Sequence, residues 1–215
     1  MEHIDYTQIY KLQDEVLQSV FETEREFYLT GGTCISRFYV AKRYSDDLDF
    51  FTNQSPRYSF AVKNIKRALQ GTFELAAHVE AKDFTRFFIN GVLQVDFAND
   101  SVPRYKEPIV TKNNFIIDNI ENILVNKMTA IIGRDNPKDI FDIFLICKLY
   151  TFNWKEILEA AHRRAKFDDE ELIIRLKTFP KELLRELRII DNTFLDDFDV
   201  FFPKVINDIE RTMGV

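Results

Sequence analysis

Cysteine is nearly absent from this chain of 215 residues. The two that occur, Cys34 and Cys147, are far apart and form no CxxC or Cys/His cluster, which argues against a structural zinc site and a disulfide framework. Both read as buried thiols in a reducing compartment. Histidine is also scarce: His3, His78 and His162 match no metal spacing or catalytic triad, so none is assigned a role. No apolar run approaches membrane-spanning length. The N-terminal stretch, with Glu2, Asp5, Asp14 and Glu15, lacks the basic-then-apolar plan of a secretion signal. The expected location is the cytoplasm, with no membrane partner. Excess positive charge is missing as well. A net charge of −6 argues against a surface that grips nucleic acid everywhere, while leaving room for a local basic groove.

What the chain does have is a large apolar inventory, 46% hydrophobic with 21 phenylalanines, enough to bury a core. Most phenylalanines stand beside Ile, Leu or Val in periodic segments and read as core packing. Helical periodicity is expected over Thr7–Glu24, followed by a strand at Phe27–Thr30, a short helix at Thr33–Tyr39, a strand at Asp47–Phe51 and a helix at Ser59–Leu69. Three β-like runs follow, Phe73–Glu80, Phe84–Ile89 and Val92–Ala98, the last two joined by a hairpin turn at Asn90-Gly91. Beyond Pro103 and Pro108 the pattern becomes helical: Ile120–Ile132, Pro137–Tyr150, Trp154–Arg164, Asp169–Lys177, Lys181–Ile190 and Val200–Met213. The expected class is α+β, with a mixed domain over residues 1–105 and a helical domain over 106–215.

Two local patterns carry chemistry. Gly31-Gly32-Thr33 ends a strand and opens a helix. Glycines there let backbone N–H groups approach an anion closely, and a helix start is attractive to phosphate. Downstream, Arg43-Tyr44-Ser45-Asp46-Asp47-Leu48-Asp49-Phe50-Phe51 puts Asp47 and Asp49 on one face of an extended run and turns Leu48 and Phe50 to the other. Such a pair can share a hard cation, Mg²⁺ or Mn²⁺, that also binds substrate phosphates. A third acidic residue, Asp96, lies within the apolar run Val92–Phe97. It either faces water beside Gln94 or joins Asp47 and Asp49 in a cluster able to hold two metals. Taken alone, Lys127 reads as a lysine whose stem covers apolar surface. Asp139 and Asp142, three apart on a helix, share a face, and the first suits the helix start after Pro137. Arg43 can meet a phosphate or pair with Asp46.

Gly-Gly-Thr, then Arg-x-Ser-x-Asp-x-Asp, then a strand aspartate, resembles the polymerase-beta-like nucleotidyltransferase superfamily. The nearer resemblance is to the AbiEii/AbiGii toxin family. It continues through Glu121-Asn122-Ile123-Leu124-Val125-Asn126-Lys127 and Arg134-Asp135-Asn136-Pro137-Lys138-Asp139-Ile140-Phe141-Asp142, so it covers about Tyr28 to Tyr150. The resemblance implies a nucleotidyltransferase fold with a small mixed sheet, completed by a helical half. It also implies transfer of a nucleotidyl group from a nucleoside triphosphate to an acceptor, in a toxin–antitoxin or phage-defence setting. It assigns metal to Asp47, Asp49 and Asp96, and catalysis to these with Lys127 and Asp139. Nucleotide contacts fall to Gly31, Gly32, Thr33, Arg43, Ser45, Lys127, Lys138 and Asp142, with Arg134 a further phosphate or acceptor contact. Some relatives modify the acceptor end of tRNA, which makes a tRNA acceptor and a cognate antitoxin candidate partners. Arg163-Arg164-Ala165-Lys166 and the face carrying Lys181, Arg185 and Arg188 offer basic patches to an RNA backbone. The alternatives are transfer to a small molecule or a protein side chain, and an inactive binding module of the same fold.

Overall fold

The computed structural model describes residues 5–214, so Glu2 and His3 lie outside the described residues. The described chain forms two compact units. One holds the residues through Tyr39 together with Tyr44–Asp118; the other holds Val40–Arg43 and the residues from Asn119 onward.

The first unit is built on a seven-stranded mixed sheet. Its strands are β1 (Tyr28–Thr30), β2 (Leu48–Asn53), β3 (Leu75–Glu80), β4 (Phe84–Ile89), β5 (Leu93–Asp100), β6 (Ile109–Val110) and β7 (Ile116–Ile117), in the order β3-β4-β5-β2-β1-β7-β6. Two neighbouring pairs, β2 with β5 and β1 with β7, run parallel. Helix α1 (Tyr6–Thr23) buries Val16, Leu17 and Val20, and α3 (Tyr58–Gln70) buries Ile65 and Leu69. The alternation in β2 is strict: Leu48 and Phe50 are buried, and Asp49 and Phe51 take the opposite face. Register then aligns Leu48 with Val95, Asp49 with Asp96, and Phe50 with Phe97, whose rings stack 5.1 Å apart in the core. The β4–β5 hairpin closes at Asn90-Gly91, both with positive φ (51° and 70°), and the Val92 N–H donates to the Ile89 carbonyl at 3.1 Å.

Two features of this unit differ from the sequence expectation. The chain turns directly from β1 into α2 (Gly31–Cys34), because Gly31 takes φ +71° and so needs no intervening residues; a π-helical turn, Ile35–Tyr39, completes that segment. In addition, β6 and β7 lie in a stretch to which the sequence pattern assigns no element. Each strand has two residues, too few for a period of two to register in sequence.

The second unit is helical: α4 (Ile120–Gly133), α5 (Pro137–Leu149), α6 (Trp154–Arg164), α7 (Asp169–Thr178) and α8 (Phe198–Met213), with short 3₁₀ turns at Lys181–Glu186 and Asn192–Leu195. Asn119 and Asn136 cap α4 and α5 by accepting from the N–H groups of Glu121 and Lys138, and Pro137 occupies the first turn of α5. Helix α5 is buried without interruption from Asp139 to Cys147, so both its aspartates must find cations inside the protein. The helix expected over Lys181–Ile190 is a 3₁₀ turn followed by extended chain. Its last residues bond to the inserted segment instead: the Ile190 N–H donates to the Lys42 carbonyl at 2.9 Å, and Ile189 bridges Arg43. Among the described residues, no helix is long and apolar enough to cross a membrane.

Candidate active site

On the sheet face opposite the aromatic core, register places Thr30, Asp49, Asp96 and Arg86 side by side on the adjacent strands β1, β2, β5 and β4. Neighbouring strands stand about 4.8 Å apart, so Asp49 and Asp96 are lateral neighbours of like charge, an arrangement that favours a cation. Asp47 precedes β2 by one residue. Its backbone carbonyl accepts the Thr33 hydroxyl, so a buried threonine from the glycine segment fixes the start of the acidic strand.

Arg86 answers Asp96. Its Nε donates to Oδ1 at 2.8 Å and its Nη2 to Oδ2 at 2.6 Å, and Gln94 adds a bond to Oδ2 at 3.2 Å. That forked bond raises the guanidinium above the ordinary arginine value, outweighing the opposing effect of burial, and the negative charges of Asp96, Asp49 and Asp47 add to the rise. Asp96 is therefore buried and ion-paired rather than water-facing. Among the described residues, no three His, Cys, Asp or Glu side chains are grouped so as to hold a metal ion by themselves.

The glycine turn is shaped around Asp49. A Cβ on Gly31 would lie 2.6 Å from Asp49 Oδ2, closer than any real contact, and φ +71° already disfavours a side chain there. Glycine at residue 31 lets the Asp49 carboxylate pack directly against the backbone of the turn. Hard oxygen donors beside a glycine backbone suit a divalent cation with phosphate oxygens. Ser45 is held from α1, where Gln13 donates to its carbonyl at 3.0 Å and the Tyr10 hydroxyl accepts from its N–H at 3.3 Å. Asp46 accepts the Tyr6 hydroxyl at 2.6 Å.

The helical unit holds a second charged set. Arg43 is 3% exposed and grips Asp142 with Nε and Nη2, both at 2.7 Å. Lys127 Nζ lies 2.8 Å from Asp139 Oδ1 and 2.8 Å from Asp142 Oδ2, and Arg134 pairs with Asp139 at 2.7 Å. Burial pushes Asp142 upward, but Arg43 and then Lys127 outweigh it and hold this carboxylate below its usual range. Burial likewise works to depress Lys127, and Asp142 and Asp139 overcome it, so the ammonium sits above the ordinary lysine value despite Arg43. Lys138, expected as a nucleotide contact, is half-buried, and its backbone N–H bonds to the Asn136 side chain.

Thus Gly31, Thr33, Asp47, Asp49 and Asp96 come together in the first unit, while Arg43, Lys127, Arg134, Asp139 and Asp142 come together in the second. Sequence reasoning missed Arg86. A signal existed in the hairpin, since counting outward from Asn90-Gly91 nearly pairs Arg86 with Asp96. A plain two-residue turn sets Arg86 against Val95, but Ile89 pairs with Leu93, leaving Val92 as an extra loop residue. That single residue moves Arg86 to the acidic face.

Comparison with known proteins gives a consistent picture. A family model described as nucleotidyl transferase AbiEii toxin, type IV TA system, matches residues 16–212. An uncharacterized protein of Aquifex aeolicus, aq_aa25, is 25% identical over 203 residues, spanning 92% of this chain and 96% of that protein. Among solved structures, JHP933 from Helicobacter pylori superposes with a TM-score of 0.61 at 19% identity, covering 97% of this chain and 94% of that one. MenT4, a nucleotidyltransferase toxin from Mycobacterium tuberculosis H37Rv, does so with a TM-score of 0.60 at 14% identity, covering 96% and 91%. The chain thus shares the fold of JHP933 and of the nucleotidyltransferase MenT4.

Proposed function

The chain belongs to the AbiEii nucleotidyltransferase toxin family, and from that premise we propose that it transfers a nucleoside monophosphate from a nucleoside triphosphate to an RNA acceptor, with tRNA the leading candidate, as a metal-dependent toxin restrained by a cognate antitoxin. The observation that carries this reading is Gly31 with no room for a Cβ beside Asp49, which itself stands level with Asp96. A divalent cation bound by Asp47 and Asp49 would neutralise triphosphate charge and help align the attacking and leaving oxygens. The chain's own groups do the rest. The Gly31-Gly32 turn presents backbone N–H groups to phosphate oxygens, and Thr33 steadies Asp47 through its carbonyl. Asp96, neutralised by Arg86, keeps the row from repelling the incoming triphosphate with its full charge. In the helical unit, Lys127 is the proposed triphosphate cation and Asp139 the carboxylate that orients or deprotonates the acceptor hydroxyl.

The test is incubation with each labelled triphosphate, Mg²⁺ and total cellular RNA. Label is expected in RNA for the wild-type chain. Asp49→Asn is expected to lower transfer by about 10² to 10³-fold, the usual scale for removing one charge-stabilising group, with circular dichroism unchanged. Label in protein or in small molecules would redirect the acceptor assignment, and unchanged turnover in Asp49→Asn would remove that residue from the site.

A further inference from the structure

Resting on the transfer reading above, we propose that Arg86 is the resident counter-ion of the acidic row. It commits Asp96, so that the first unit takes up one divalent cation, at Asp47 and Asp49, rather than two shared across three carboxylates.

The argument begins with the backbone. Arg86 and Asp96 are directly paired residues of an antiparallel ladder, and Asp96 and Asp49 are directly paired residues of a parallel one. The guanidinium is thus delivered to the row by register. Both Asp96 oxygens are engaged, Oδ1 by Arg86 Nε and Oδ2 by Arg86 Nη2 and Gln94 Nε2. The Asp96 side chain is only 8% exposed. A cation approaching it would have to displace a planar fork that matches the carboxylate and cannot be neutralised at any working pH. A second ion would stand beside a fixed positive group in a half-buried setting, where repulsion is poorly screened.

The experiment is a calorimetric titration of the full chain with Mn²⁺ alone. Wild type is expected to take up one ion per chain. Arg86→Gln, which frees Asp96, is expected to add a second site or to tighten uptake at least about tenfold. Arg86→Lys keeps the charge and should remain at one. A second ion in wild type overturns the proposal, as does an Arg86→Gln variant that titrates like wild type or more weakly. If Arg86→Gln fails to fold by circular dichroism, the double variant Arg86→Gln/Asp96→Asn, which leaves no buried charge unpaired, decides. One ion per chain, within about threefold of wild-type affinity, supports the proposal; a tenfold loss makes Asp96 a ligand and overturns it. Failure of the transfer reading looks different: wild type then takes up no Mn²⁺ and transfers no label, whereas failure of this inference alone leaves transfer intact.

Discussion

Gly31 resists substitution for two separate reasons. A methyl group there meets Asp49 Oδ2 at 2.6 Å, and the backbone holds φ +71°. Gly31→Ala is expected to lose about 1–2 kcal/mol of stability from the left-handed conformation alone and to push Asp49 out of place. Transfer should fall more steeply than the shift in thermal midpoint would explain, which a melting curve and a turnover assay on the same preparation will reveal. The importance of this glycine was legible in sequence, because Gly-Gly before Arg-x-Ser-x-Asp-x-Asp needs no coordinates to stand out. Arg86 was not legible. An arginine in an alternating strand is the normal occupant of a solvent-facing position, and nothing local separates it from one that meets a carboxylate on the next strand.

Helix α5 poses a different problem, since its aspartates are buried on a helix surrounded by protein. Arg43 reaches Asp142 from a four-residue segment that belongs to the helical unit although its sequence neighbours on both sides belong to the other. Removing one partner of such a pair strands a buried charge, so Arg43→Met should destabilise the helical unit by about 3 kcal/mol. Replacing both, as Arg43→Met/Asp142→Leu, should cost less than either single change. Urea unfolding followed by Trp154, the one tryptophan and a residue of α6, reports on this unit. The pH dependence has a definite sign. Asp142 is depressed in the fold, so its contribution is present above the ordinary carboxylate pKa of about 3.9 and is lost as pH falls through the lower folded value. Lys127 is raised, so its contribution is present below about 10.4 and is lost as pH climbs through the higher folded value. The wild-type midpoint should therefore drop at both extremes, and Arg43→Met should lose part of the acid limb. Helical period predicted α4 and α5 almost to the residue, but it also predicted a helix through Ile190, where backbone groups bond to Lys42 and Arg43 instead.

For the whole molecule the relevant facts are family membership and a net charge of −6. A toxin that acts by nucleotide transfer should arrest growth when expressed without its antitoxin, and the arrest should depend on the acidic row. Induction of the wild-type chain is expected to reduce colony counts by several logs, while Asp49→Asn, expressed to the same level, should be tolerated. Equal arrest by both would assign the toxicity to something other than transfer. By itself, the sequence determined whatever a short window of chain encodes: the amphipathic periods of the helices, the alternation that separates Asp49 from Phe50, the glycine turn and the hairpin at Asn90-Gly91. Tertiary structure alone decided who partners whom. Arg43 with Asp142 and Arg86 with Asp96 are held by burial and strand register, and a slip of one residue in a strand reverses its faces. A buried charge selects its partner by being desolvated, a condition that exists only once the chain has closed around it.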